Sequence, residues 1–145
     1  MIADPGEVAL ATALPDAAQA GVCTLAPSRH EELLAAADAL GYPLAAVDIG
    51  DCADKDALLR ALADALGFPD WFGDNWDALA DALADLGWLP EAPGYVLRLD
   101  GLTRYRAADP AGCAILLDIL AEVADAWRRI EVPFWIFVAP DAIKD

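Results

Sequence analysis

Residues 132–140 read VPFWIFVAP, an unbroken apolar run held between Pro133 and Pro140. A strand with one wet face alternates apolar and polar residues, whereas this one has no polar residue to turn toward water, so both of its faces are expected to be covered. Three earlier runs are of the same type: GVCTLA (21–26), PLAAVDI (43–49) and GYVLRLDG (94–101). Helical patterns separate them. Apolar strands alternating with helices are the pattern of a parallel sheet buried by its crossover helices. The fold class is therefore α/β: a single domain with a small parallel sheet of three to four strands, near 21–26, 43–49, 94–99 and 134–138.

The punctuation between the runs supports this. Ser28, with Glu31 three residues on, reads as a capping box for a helix over about 28–40, stopped by Gly41. Asp54 caps a second helix, where Leu58, Leu59, Leu62 and Leu66 keep helical spacing until Gly67. A third helix is expected over 74–86. Asp109 followed by Pro110 opens a fourth, with an apolar stripe through Ile115, Leu116, Ile119, Leu120, Val123 and Trp127. Residues 1–20, interrupted by Pro5, Gly6 and Pro15, predict only a lead-in or a short helix.

The chain of 145 residues has a formal net charge of −16 and a pI near 4.1. Such a chain repels nucleic-acid backbones and anionic membranes and favours a basic protein partner. Cys23, Cys52 and Cys113 are widely separated, with one His, His30, to join them. That is neither a zinc pattern nor a disulfide framework, so buried free thiols in a reducing compartment are expected. The first 20 residues contain acids and no Lys or Arg, unlike a secretory signal, and no apolar run approaches the ~18 residues that a membrane span needs. A cytoplasmic location follows as the expectation.

Residues 70–88, DWFGDNWDALADALADLGW, carry the functional signal. At 100° per residue, Trp76, Leu79, Leu83 and Leu86 share one helix face, and Asp74, Asp77, Asp81 and Asp85 lie almost opposite. Asp is a weak helix former, and like charges four residues apart repel by a few tenths of a kcal/mol (~0.2–0.5). Asp74 suits the positive end of the helix dipole, whereas Asp85 sits toward the negative end. Asp supplies 19 of the 25 carboxylates, so a solvated acidic face is the plain alternative. Against it stand Trp71 and Phe72, adjacent aromatics in a loop, and Gly73, which permits a sharp turn and close approach by another surface. Aromatics beside carboxylates resemble a binding hot spot in composition.

The stretch FPDWFGDNWDALADAL, residues 68–83, resembles the barstar family, intracellular inhibitors of secreted ribonucleases. The family pattern is matched by Pro69, Trp71, Phe72, Gly73, Asp74, Asn75, Trp76, Asp77, Ala78, Leu79 and Asp81. The strand-helix outline from 43 onward also fits that family, giving a barstar-like domain at 43–145 and an N-terminal extension at 1–42 packed onto it. The resemblance implies that the acidic helix and preceding loop plug a ribonuclease active site. Asp77 and Asp81 then occupy or border the place of RNA phosphate, and Trp71 stacks near a catalytic His. The chain departs from the family at Ala80, where a Trp is expected, and at Ala82, where a Cys is expected. Its loop after the helix is longer, and Trp88 is the nearest replacement for a contacting aromatic. A later-helix Glu is matched by Glu122. The partner-binding set is thus Trp71, Phe72, Gly73, Asp74, Asn75, Asp77, Ala80, Asp81, Trp88 and Glu122.

Other chemistries find little support. There is no P-loop, no Gly-x-Ser-x-Gly and no Gly-x-Gly-x-x-Gly, and His30 beside Glu31 and Glu32 makes no catalytic constellation. The Asp row lacks the spacing of a calcium loop and its terminal bidentate Glu. No enzyme, cofactor or metal site is expected, and the free protein is expected to be a monomer. The alternative reading is an acidic interaction module of the same fold with a basic partner that is not a nuclease.

Overall fold

The computed structural model describes residues 8–69, 73 and 75–143. Its strands are β1 (Val22–Thr24), β2 (Leu44–Asp48), β3 (Tyr95–Asp100) and β4 (Phe134–Val138). They form one parallel sheet in the order β1-β4-β3-β2. The helices are α1 (Leu10–Ala13), α2 (His30–Leu40), α3 (Lys55–Leu66), α4 (Trp76–Asp85), α5 (Leu102–Ala108) and α6 (Pro110–Arg129). The expected α/β class and parallel sheet are both borne out.

Both faces of the sheet are covered at β4, which accounts for its unalternating run. All five β4 residues are buried. Phe134, Ile136 and Val138 point to one face, with Leu97 and Leu99 of β3, and α3 to α6 pack over them. Trp135 and Phe137 point to the other face and meet Leu10, Leu14 and Leu33 of the N-terminal segment. There the Trp135 indole N–H donates to the Leu14 carbonyl at 3.0 Å. Residues 8–42 thus supply the edge strand β1 and the cover of the second face. The short helix α1 is tied to α2 through Glu32, whose carboxylate accepts the Leu10 N–H at 2.8 Å and pairs with Arg29. Arg29 in turn donates to the Val8 carbonyl at 2.8 Å.

Most helix ends follow the expected chemistry. Gly41 and Gly67 terminate α2 and α3 at φ of 76° and 66°. The Asp54 carboxylate accepts the Ala57 N–H, and Asp109 accepts that of Gly112 with Pro110 in the first turn.

Five expectations are corrected. The helix after β1 begins at His30, because Pro27 starts a separate 3-10 turn through Arg29 and Ser28 caps nothing. The third helix begins at Trp76 and is capped by Asn75. The helix α5 was not expected at all. Ile115 is 40% exposed and lies outside the apolar stripe of α6. Cys52 is only half-buried, whereas Cys23 and Cys113 are buried. All three cysteines are free. Burial pushes the Cys113 thiol pKa up, and burial with Asp48, Asp51 and Asp54 raises that of Cys52, so both favour the protonated form. Among the described residues, no helix is long and apolar enough to cross a membrane.

Candidate partner-binding site

Asn75 builds the start of the acidic helix. Its side-chain oxygen accepts the Ala78 N–H at 2.7 Å, and its Nδ2 donates to the Gly73 carbonyl at 3.2 Å. One side chain therefore caps α4 and holds Gly73 in the loop before it. Gly73 is exposed. A Cβ there would come no closer than 3.4 Å to Asn75 Nδ2. Trp71, Phe72 and Asp74 lie outside the described residues.

Along α4, Leu79 and Leu83 are fully buried and Trp76 packs half-buried against the same core. Asp77, Asp81 and Asp85 are exposed on the opposite side. Asp77 and Asp81 stand about 6 Å apart along the axis, four residues at 1.5 Å each. Ala80 and Ala78 are half-buried and Ala84 is exposed, so the helix's own flanking residues are too small to overhang the carboxylates. Among the described residues the ion pairs join Arg29 to Glu32, Arg98 to Asp100, Arg104 to Asp51, and Arg128 and Arg129 to Asp125. None involves Asp77, Asp81 or Asp85, so the α4 row is uncompensated charge on a rigid support.

The support comes from α6. The Trp127 indole N–H donates to the Leu83 carbonyl at 2.9 Å, fastening α6 to the C-terminal half of α4. One flank of α6, with Leu117 and Ala121, faces the β1 edge. Glu122 is exposed and, at 100° per residue, falls on the other flank, toward α4.

Trp88, which the resemblance offers as a contacting aromatic, also makes contacts within the chain. It is half-buried, its indole N–H donates to the Leu66 carbonyl at 3.1 Å, and its ring meets Phe68 edge-on at 5.6 Å. These contacts clasp the loop before α4 to the loop after it. Phe68, which sequence reasoning passed over, is half of this clasp. A local signal for it exists: the Phe68 N–H reaches back to the Ala63 carbonyl at 2.9 Å, the position where a helix ending on glycine usually places an apolar contact.

Chemically, the arrangement presents a fixed row of carboxylates with no cation of its own. Among the described residues no cluster of His, Cys, Asp and Glu is gathered as metal ligands. A search of curated proteins returns no match. A family model described as Barstar (barnase inhibitor) matches residues 42–139, which include α4, its flanking loops and Glu122. On a match over more than half of its length, this chain belongs to the Barstar family.

Proposed function

We propose that this protein inhibits a ribonuclease by setting α4 and the loop before it into the enzyme's basic active site. The observation that carries the reading is the uncompensated row of Asp77 and Asp81 on a helix held by buried leucines, in a chain of this family. A ribonuclease presents cationic side chains to RNA phosphate, and carboxylates at helical spacing offer them a preorganised substitute. Binding would also relieve the repulsion stored in the row. Asp77 and Asp81 act as the phosphate mimic, Glu122 adds charge at the border, and Trp71 and Phe72 supply aromatic contact. Asn75 and Gly73 set the angle of the loop, Asp74 contributes at the helix start, and Ala80 leaves a small notch. Trp88 contributes through the part of its ring left outside the clasp.

The test is inhibition of a barnase-type ribonuclease by the purified protein, with the affinity of variants. Asp77→Ala and Asp81→Ala should each weaken the complex by at least ~2 kcal/mol, about 30-fold, as hot-spot carboxylates do. The barnase–barstar pair is itself a reference case for such sites, so that magnitude is borrowed from the family. Unchanged affinity in both variants would remove α4 from the interface. Inhibition absent altogether, with a basic non-nuclease protein bound instead, would move the reading to a general interaction module.

A further inference from the structure

The two edges of the sheet are treated differently. The edge strand β1 has only three residues, all buried. The opposite edge, β2, has five in unbroken register with β3, and Ala46 and Asp48 on it are exposed. The Val96 N–H bonds the Pro43 carbonyl, and the Ile49 N–H bonds the Asp100 carbonyl. By the alternation of a parallel ladder, residues 43, 45, 47 and 49 then face β3, and the N–H and C=O of Leu44, Ala46 and Asp48 point away from the sheet. Among the described residues nothing bonds these outward backbone groups. Proteins usually blunt such an edge with charged side chains, a bulge or a covering segment; among the described residues β2 has no bulge and no covering segment, and its one charge is Asp48.

A cavity of about 160 Å³ lies beside the first half of β2, walled by Ala45, Ala65, Leu66, Leu89, Tyr95 and Phe134. It is on the face covered by α3, where Ala45 and Ala65 are too small to fill it. An apolar cavity near that size takes a benzene-sized group (about 150 Å³). On the other face of the same strand, Asp48 stands exposed beside the Arg98–Asp100 pair. A strand laid along β2 would place alternate side chains on these two faces.

We propose that the β2 edge is a docking site for an extended segment of another protein in which apolar and basic residues alternate. The segment adds as a fifth strand on the outward groups of Leu44, Ala46 and Asp48. It seats an apolar side chain in the cavity and turns a basic one toward Asp48. This is strand addition with a side-chain pocket for selectivity. A second copy of this chain is the poorer occupant, since it would bring a net charge of −16 against the same charge. The site is separate from the acidic face of α4 and does not depend on the inhibitor reading.

The probe is a synthetic hexapeptide alternating Leu and Lys, with a counterpart N-methylated on alternate residues so that one edge cannot donate. Amide NMR should show saturable shifts at Leu44, Ala46 and Asp48 with the first peptide and none with the second. Ala46→Pro removes an outward N–H that the ladder does not use, so the protein should keep its fold and lose peptide affinity by about tenfold or more. Ala65→Leu, which fills the cavity, should weaken binding likewise, and the double variant Asp77→Ala/Asp81→Ala should bind the peptide unchanged. Equal binding of the N-methylated peptide, or no shift at β2 up to millimolar peptide, overturns the proposal. So does a self-associated state in the free protein that Ala46→Pro dissolves, which would make the second copy the occupant.

Discussion

Leu86 closes α4 at φ 50°, in the left-handed region, with its side chain only 2% exposed in the main core. That backbone costs a side-chain-bearing residue roughly 1–2 kcal/mol. Burial of the leucine contributes about 1.5–3 kcal/mol, which is why the position holds a leucine where glycine is usual. The two terms can be separated. Leu86→Gly loses the buried side chain but relieves the backbone, whereas Leu86→Ala loses most of the side chain and keeps the strain. Urea unfolding should therefore rank Leu86→Ala as the more destabilised of the two, by up to about 1 kcal/mol. The reverse order would mean that the backbone at 86 is not strained. Asp85, one residue earlier, is exposed, unpaired and at the negative end of its helix, so it belongs to the solvated part of the row.

Gly112 ties two elements together at the start of α6. A Cβ there would overlap the Asp109 carboxylate and stand 2.7 Å from the Tyr105 hydroxyl. The same carboxylate accepts the Gly112 N–H at 3.1 Å and the Tyr105 O–H at 2.9 Å, joining the end of α5 to the cap of α6. Burial, followed by the hydrogen bond and charge of Asp109, pushes the Tyr105 pKa well above its usual value, so the phenol stays a donor. Exposed helical Gly→Ala changes gain about 1 kcal/mol, but Gly112→Ala should lose stability instead, by about 1–3 kcal/mol in a thermal or urea melt. Tyr105→Phe should cost about 1 kcal/mol on its own. A stabilised Gly112→Ala protein would contradict the geometry.

At this scale the sequence is readable where the signal is local. The β4 run, the caps at Asp54 and Asp109 and the stops at Gly41 and Gly67 are settled by neighbouring residues. The helix α5 was hidden because it has seven residues and buries only Leu102 and Tyr105, too few to show a period. Ser28 misled because Glu32, not Glu31, is engaged, and its partners Arg29 and Leu10 include one 22 residues away. The same holds in the candidate site. The acidic face of α4 follows from helical spacing alone, but the Trp88–Leu66 bond that clasps its two loops spans 22 residues and leaves no pattern in the chain.

The whole molecule is a sheet covered on one side by crossover helices and on the other, around β4, by its own N-terminal segment. Glu32 makes that second cover sensitive to acid. The Arg29 hydrogen bond, then the Leu10 N–H, lower its pKa from the ordinary 4.5. A carboxylate depressed on folding contributes stability that is full above the unfolded value, about 4.5, and is lost as pH falls through the lower folded value. Hydrogen exchange at the Leu10 amide should accelerate below that pH. Glu32→Gln should reproduce the acceleration at neutral pH without unfolding the main core. An unchanged Leu10 amide in both cases would show that the carboxylate does not hold α1. The net charge of −16 acts at longer range. Association with a basic partner should slow as salt is added, with dissociation nearly unaffected, because screening acts on the approach more than on the formed contact. A salt-insensitive on-rate in stopped flow would argue against steering.

Because β4 is, among the described residues, the sole sheet neighbour of β1, that strand finds its place only after β4 has been made. Until Trp135 and Phe137 emerge from the ribosome, Leu10, Leu14 and Leu33 lack the aromatic part of the surface they cover. The growing polypeptide therefore carries an incompletely covered apolar segment until β4 has been made, the interval in which chaperones and proteases compete for it. Pairing of strands so distant in sequence is also slow, since the whole intervening loop must close first.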